Sequence, residues 1–165
     1  MNHTQSLKVV AVGDREIVIT RTFAAPRAVT WEAITRPELV RRWMTGPPGW
    51  EMVASESDLR VGGAFRIAWK HADGQEMAMH GVYREVEPPQ RLVRTETFEM
   101  GCAPQGGEQL ASLVLSETED GAGTDVRITV LYPSQEARDG MLASGMEHGM
   151  EASYAKLDGV LNELS

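Results

Sequence analysis

The sequence predicts an α+β domain in which an antiparallel sheet packs on one long C-terminal helix, with two short helices after the first strand. Three observations predict it. From Trp50 onward the chain alternates apolar and polar residues in short segments joined by tight turns, the pattern of an antiparallel meander. Two short helical segments sit together before that meander rather than between its strands. The stretch Ser134–Leu164 then carries Leu142, Met146, Met150, Ser153, Leu157, Leu161 and Leu164 at spacings of three and four, the period of one helix face, with Tyr154 at the margin of that stripe and Glu147, Glu151, Asp158 and Glu163 on the wet side.

Residues 1–14 carry little pattern and are read as a loose lead-in, leaving 15–165 as a single domain. Glu16–Phe23 is a strand, with Ile17, Ile19 and Phe23 on one face and Val18, Thr20 and Thr22 on the other. Ala25-Pro26 ends it, and Pro26 suits the first turn of a helix whose apolar face is Val29, Ala33 and Ile34, with Trp31 beside them. A second short helix begins near Pro37, with Thr35 as N-cap, Glu38 at the positive end of the helix dipole, and Leu39, Val40, Trp43 and Met44 as its buried set. Gly46-Pro47-Pro48-Gly49 stops that helix.

The strands then follow in order. Trp50–Ser57 alternates weakly, and 58–63 is a turn containing Gly62-Gly63. Ala64–His71 sets Phe65, Ile67, Trp69 and His71 against Arg66, Ala68 and Lys70. Asp73-Gly74 is a hairpin signal, and Glu76–Val86 follows it. Pro88-Pro89 is the next turn. Arg91–Met100 places Leu92, Arg94, Glu96 and Phe98 on one face, and Gln109–Glu117 comes after a Gly/Pro-rich loop. Gly121-Ala122-Gly123 leads into Asp125–Tyr132, and Pro133-Ser134 opens the long helix, with the serine hydroxyl as its cap. Gly140, Gly145 and Gly149 weaken the helix's first half, each by ~1 kcal/mol against Ala.

An apolar fraction of 42% suffices for a full core in 165 residues. The net charge of −8 is uneven: residues 1–96 hold 13 basic and 12 acidic side chains, and 97–165 hold 3 and 12. An acidic second half argues against nucleic acid, which needs clustered cations. The lone Cys102 excludes an internal disulfide and has no local base to activate it. With no signal peptide and no apolar run of membrane-spanning length, the expectation is a cytoplasmic protein that does not enter a membrane. No sequence feature demonstrates a homodimer, although general frequency allows one.

The phrases "ITRTFAAPRAVTWEAITRPELVRRWM", "VGGAFRIAW", "HGVYREVEPPQRLVRTETF", "GTDVRIT" and "GMEHGMEASYAKLDGVL" occur in an order that resembles proteins similar to the activator of heat shock protein 90 ATPase. The resemblance spans about residues 15–164. It implies the helix-grip fold of the START and birch-pollen-allergen superfamily, in which a curved antiparallel sheet wraps the C-terminal helix. It also implies a pocket for an apolar small molecule between the two. Met150 stands where many relatives place Trp, which implies a softer pocket floor. The namesake co-chaperone carries a separate chaperone-binding domain, for which these residues leave no room, so chaperone activation is not the expectation.

Within that fold Phe65, Trp69, Met79, Tyr83, Phe98, Met146, Met150 and Tyr154 are the expected pocket wall, holding an apolar or aromatic ligand. Each of them equally serves a filled core. There is no GxSxG, HExxH, Gly-rich phosphate loop or paired cysteine, so no metal and no cofactor is expected. Catalytic residues are not assigned by any motif. Glu96 and His80 are the candidates for acid/base chemistry of a cyclase or hydrolase type, and the pair Arg94/Glu96 becomes a buried charge pair if its strand face is concave. A third reading is a protein-interaction module of a stress or co-chaperone-like kind, which an exposed apolar patch outside the cavity favours.

Overall fold

The computed structural model describes residues 5–100 and 103–164. Its eight strands are β1 (Gln5–Val12), β2 (Glu16–Phe23), β3 (Trp50–Ser57), β4 (Ala64–His71), β5 (Glu76–Glu87), β6 (Arg91–Met100), β7 (Ala103–Glu117) and β8 (Thr124–Leu131). The helices are α1 (Arg27–Thr35), α2 (Pro37–Trp43), α3 (Gln135–Ala143) and α4 (Met146–Leu164). All strands join one curved antiparallel sheet in the order β1-β2-β8-β7-β6-β5-β4-β3, the helix-grip arrangement. The strand before the helices thus pairs with the last strand, Ile17 opposite Val130 and Ile19 opposite Ile128.

Period-2 alternation decides which side chains meet the helix. Ile17, Ile19 and Phe23 of β2, Leu113 and Leu115 of β7, and Val126 and Val130 of β8 are buried on the inner face. They enclose Tyr154, Leu157, Val160 and Leu161 of α4, with Leu157 fully buried. Tyr154, expected at the margin of the helix stripe, lies at its centre. Its ring meets Phe23 edge-on at 5.3 Å and Trp43 of α2 at 5.9 Å. A bidentate ion pair ties the same helix to the sheet, Arg21 Nη1 and Nη2 donating to the two Asp158 oxygens at 2.7 and 2.6 Å. Asp158 is therefore an anchor rather than part of a wet face.

Four local readings differ from the sequence expectation. Gln5–Val12 is not a loose lead-in but pairs with β2 across a three-residue turn that begins at positive-φ Gly13. Its Leu7 is buried and Val9 half-buried, an alternation too short to register against the polar residues before it. The stretch 103–108, expected as a loop, continues the β6–β7 hairpin through a register shift beside Phe98. Cys102 lies outside the described residues. Thr35 does not cap α2, because its hydroxyl donates back to the Trp31 carbonyl at 2.7 Å as the last residue of α1. The single long helix is two, broken at Gly145, whose φ of +82° suits glycine alone. Ser134 caps the first of them as expected, its Oγ accepting from Ala137 N at 3.1 Å. Buried Arg138 holds α3 down, donating to the Glu16 and Gly13 carbonyls.

Strands bend where the register shifts, and β5 carries one such shift. It falls between Tyr83 and Glu85, and another lies on β3 between Met52 and Ala54. Gly81 sits at the tightest point. A Cβ placed there would lie 1.8 Å from the Thr95 carbonyl oxygen and 2.9 Å from the Phe65 ring. The Gly81→Ala variant is accordingly expected to lose ~3 kcal/mol of stability, read as a lower midpoint in urea unfolding. A variant as stable as the parent would show that the bend does not depend on this close approach.

Candidate functional site

Strand β6 brings charge into the apolar interior. Leu92 is part of the core, and residues two and four further along share its face, so Arg94 and Glu96 point inward with it. Glu96 is 8% exposed. Its Oε2 accepts from Arg94 Nε at 2.9 Å, with Arg94 Nη2 also at 2.9 Å, and its Oε1 accepts from Gln109 Nε2 of β7 at 2.9 Å. The Arg94 guanidinium lies 4.0 Å over the Phe65 ring of β4. Such a pair survives out of water only when its hydrogen bonds are met, and here a second amide and an aromatic face meet them.

The pair opens onto a cavity of about 110 Å³ between the sheet's inner face and the helices. Its apolar walls come from Ile34 of α1, Val40 and Trp43 of α2, and Leu92, Leu113 and Ile128 of the sheet. Trp43 is fixed by its Nε1 donating to the Ala33 carbonyl at 2.9 Å. Further polar groups come from β3 and β5, where the Ser57 and Tyr83 hydroxyls are 2.7 Å apart. Tyr154 of α4 also lines the cavity, and its hydroxyl makes no hydrogen bond among the described residues. Burial, and secondarily Glu96, holds the Tyr154 phenol protonated well above its ordinary range, with Arg21 and Arg94 pulling the other way. Burial, again reinforced by Glu96, pushes Tyr132 at the end of β8 up to about 12.

The expected pocket residues divide. Phe65, Tyr83 and Tyr154 line the cavity, as does Glu96. Met79 and Phe98 face one another across β5 and β6 further along the inner face and pack in the core without lining it. Trp69 is buried and donates from Nε1 to the Met44 carbonyl at 2.9 Å. Met146 and Met150 are half-buried against the core cluster from the first turns of α4. His80 stands on the outer face, between Arg66 and Thr97 in register, with Nε2 3.6 Å from Glu99 Oε1. It cannot act together with Glu96 on one ligand.

The contributions of Trp43, Val40 and Gln109 were not legible as site residues, because each reads as ordinary amphipathic patterning in its own segment. Only the charged doublet inside an apolar alternation, Arg94 and Glu96, marks this face locally. Among the described residues no three His, Cys, Asp or Glu side chains gather closely enough to hold a metal. A groove of about 320 Å³ lies on the outer face over Ala54, Ala68 and Ala78, with Glu56, Arg66 and Glu99 around it. No helix of the described residues is long and apolar enough to cross a membrane.

Comparison with known proteins agrees with this architecture. The structure resembles that of a protein from Rhodobacter sphaeroides at 31% identity and a TM-score of 0.88, covering 96% of this chain and 99% of that one. It also resembles a protein from Arthrobacter aurescens at 26% identity and a TM-score of 0.81, covering 94% and 91%. The fold alone is shared with CalU16 from Micromonospora echinospora, at 22% identity and a TM-score of 0.61 over 97% and 87%. No curated protein matches the chain. A family model described as activator of Hsp90 ATPase homolog 1-like protein matches residues 24–162. With the match running from the end of β2 through most of α4, the chain belongs to the activator of Hsp90 ATPase homolog 1-like family.

Proposed function

We propose that the protein binds an apolar or aromatic small molecule in the cavity between its sheet and its helices. The observation that carries this reading is the cavity itself, with apolar walls and a single hydrogen-bonded charge pair at one place in them. Ligand pockets combine these features, a mostly apolar lining and a few fixed polar groups. Its size sets the scale of the ligand. An engineered apolar cavity of about 150 Å³ holds benzene, so about 110 Å³ takes no more than a single ring, and a substituted ring only as the walls move apart.

The container reading is favoured over an enzyme of cyclase or hydrolase type by how Glu96 is used. Both its oxygens are already engaged by Arg94 and Gln109, and His80 is on the far side of the sheet. A free base with an acid partner is what proton transfer needs. Part of the cavity wall comes from Pro37 and Val40 of α2 and from Met44, which follows it. Exposed links from Arg42 to Glu163 and from Lys156 to Thr45 fasten α2 and the residue after Met44 to α4. Such surface contacts contribute little energy each, and what holds this wall to α4 is the buried Trp43 ring packed on Tyr154.

Filling the cavity tests the reading. Ala111 is buried in its wall, and Ala111→Leu is expected to abolish binding of single-ring aromatics, followed by isothermal calorimetry, while costing under ~1 kcal/mol of stability. A cost of ~1–3 kcal/mol with no change in binding would identify the region as an already packed core.

The protonated tyrosines give a second test. Their folded pKa values are raised, so the folded state keeps its protons longer than the unfolded chain. Stability is then complete below the ordinary phenol value of 10.0 and is lost as pH rises toward about 12. Urea unfolding across that window should show the fall, and Tyr132→Phe should make it shallower while leaving the part that Tyr154 contributes.

A further inference from the structure

We infer that the polar group of the bound molecule is a neutral hydrogen-bond acceptor, of the carbonyl type, and not a carboxylate or an ammonium. This rests on the ligand-binding reading above and specifies the chemistry of that site. Charge decides it. Three charged residues line the cavity among the described residues: Glu56 is exposed and also borders the outer groove, while Arg94 is cancelled by Glu96 at hydrogen-bond distance, so the pair at the polar end carries no net charge.

A ligand carboxylate brought there would place two anions against one guanidinium, with little water to screen them. A ligand ammonium would have to displace Arg94 from Glu96. It would also find the Phe65 face, where a cation is otherwise attracted, already covered by the guanidinium at 4.0 Å.

A neutral acceptor meets neither obstacle. The Arg94 Nη1 group makes no hydrogen bond among the described residues, since Nε and Nη2 serve Glu96. The Tyr154 hydroxyl is likewise without a partner among them, and it stays protonated, so it donates. Both residues line the cavity. Two donors and apolar walls suit a ring bearing one oxygen acceptor, and a purely apolar ring leaves both donors unmet.

Three probes of similar size separate these cases: acetophenone, benzoate and toluene, titrated into the purified protein at neutral pH and followed by calorimetry. The expected result is that acetophenone binds at least ~10-fold more tightly than either of the others. Glu96→Gln keeps an acceptor for Arg94 and leaves the guanidinium uncancelled, so the preference should pass to benzoate. Tyr154→Phe should weaken acetophenone and leave toluene unchanged.

Benzoate binding best to the unaltered protein, or a ranking that Glu96→Gln does not alter, would overturn the inference while leaving the cavity a ligand site. Equal binding of toluene and acetophenone would do the same. If none of the three binds, the ligand-binding reading fails and this inference with it.

Discussion

A charge pair on the concave side of a sheet is the constraint around which this molecule is built. Strand period 2 leaves no freedom here: once Leu92 is committed to the core, Arg94 and Glu96 must follow it inward. Each ion brought out of water costs several kcal/mol before its interactions are counted, so the surroundings must answer both. They do so with residues from three strands, the Phe65 face from β4, the Gln109 amide from β7 and the mutual bond within β6. A fully packed apolar interior would exclude such a pair. The open volume beside it and the bend at Gly81 and Tyr83 are parts of the same solution.

The helices close this space without filling it. Tyr154 wedges between Phe23 and Trp43, and Arg21 grips Asp158 one turn further along α4. That fixes the C-terminal half of the helix on β2. The break at Gly145 lets the preceding turns leave the axis, where Arg138 pins α3 to the β1–β2 turn instead. α2 faces the cavity from the other side, held by its buried Trp43 against Tyr154, by Trp69 Nε1 donating to the Met44 carbonyl at its end, and by exposed links to α4.

Much of the architecture was legible because it rests on local periodicity. The two short helices, the Asp73-Gly74 hairpin and the Ser134 cap all follow from residue chemistry at fixed offsets. What escaped depends on partners distant in sequence. β1 is a strand because β2 offers it an edge, and its own residues hardly announce it. Asp158 looked solvated until Arg21, 137 residues away, stood opposite it. The candidate site shows the same division. The doublet Arg94/Glu96 was visible as an anomaly, whereas which aromatics would line the cavity was not. Phe65 and Met79 have equivalent places in their strands, and only the path of α2 over the sheet separates a wall residue from a core residue.

On the ligand-binding proposal, the Arg94–Glu96 pair is kept for what it does to a ligand and not for what it does for the fold. The most direct measurement is the unfolding free energy and acetophenone affinity of the double variant Arg94→Met/Glu96→Leu. Buried ion pairs replaced by apolar residues of similar volume are often neutral or stabilising by ~1–4 kcal/mol, and half-buried Gln109 can turn its amide to water. The expected double variant is at least as stable as the parent and no longer prefers the acceptor-bearing ring. A loss of ~3–5 kcal/mol, with that preference intact in the molecules that remain folded, would make the pair a structural element and contradict the account.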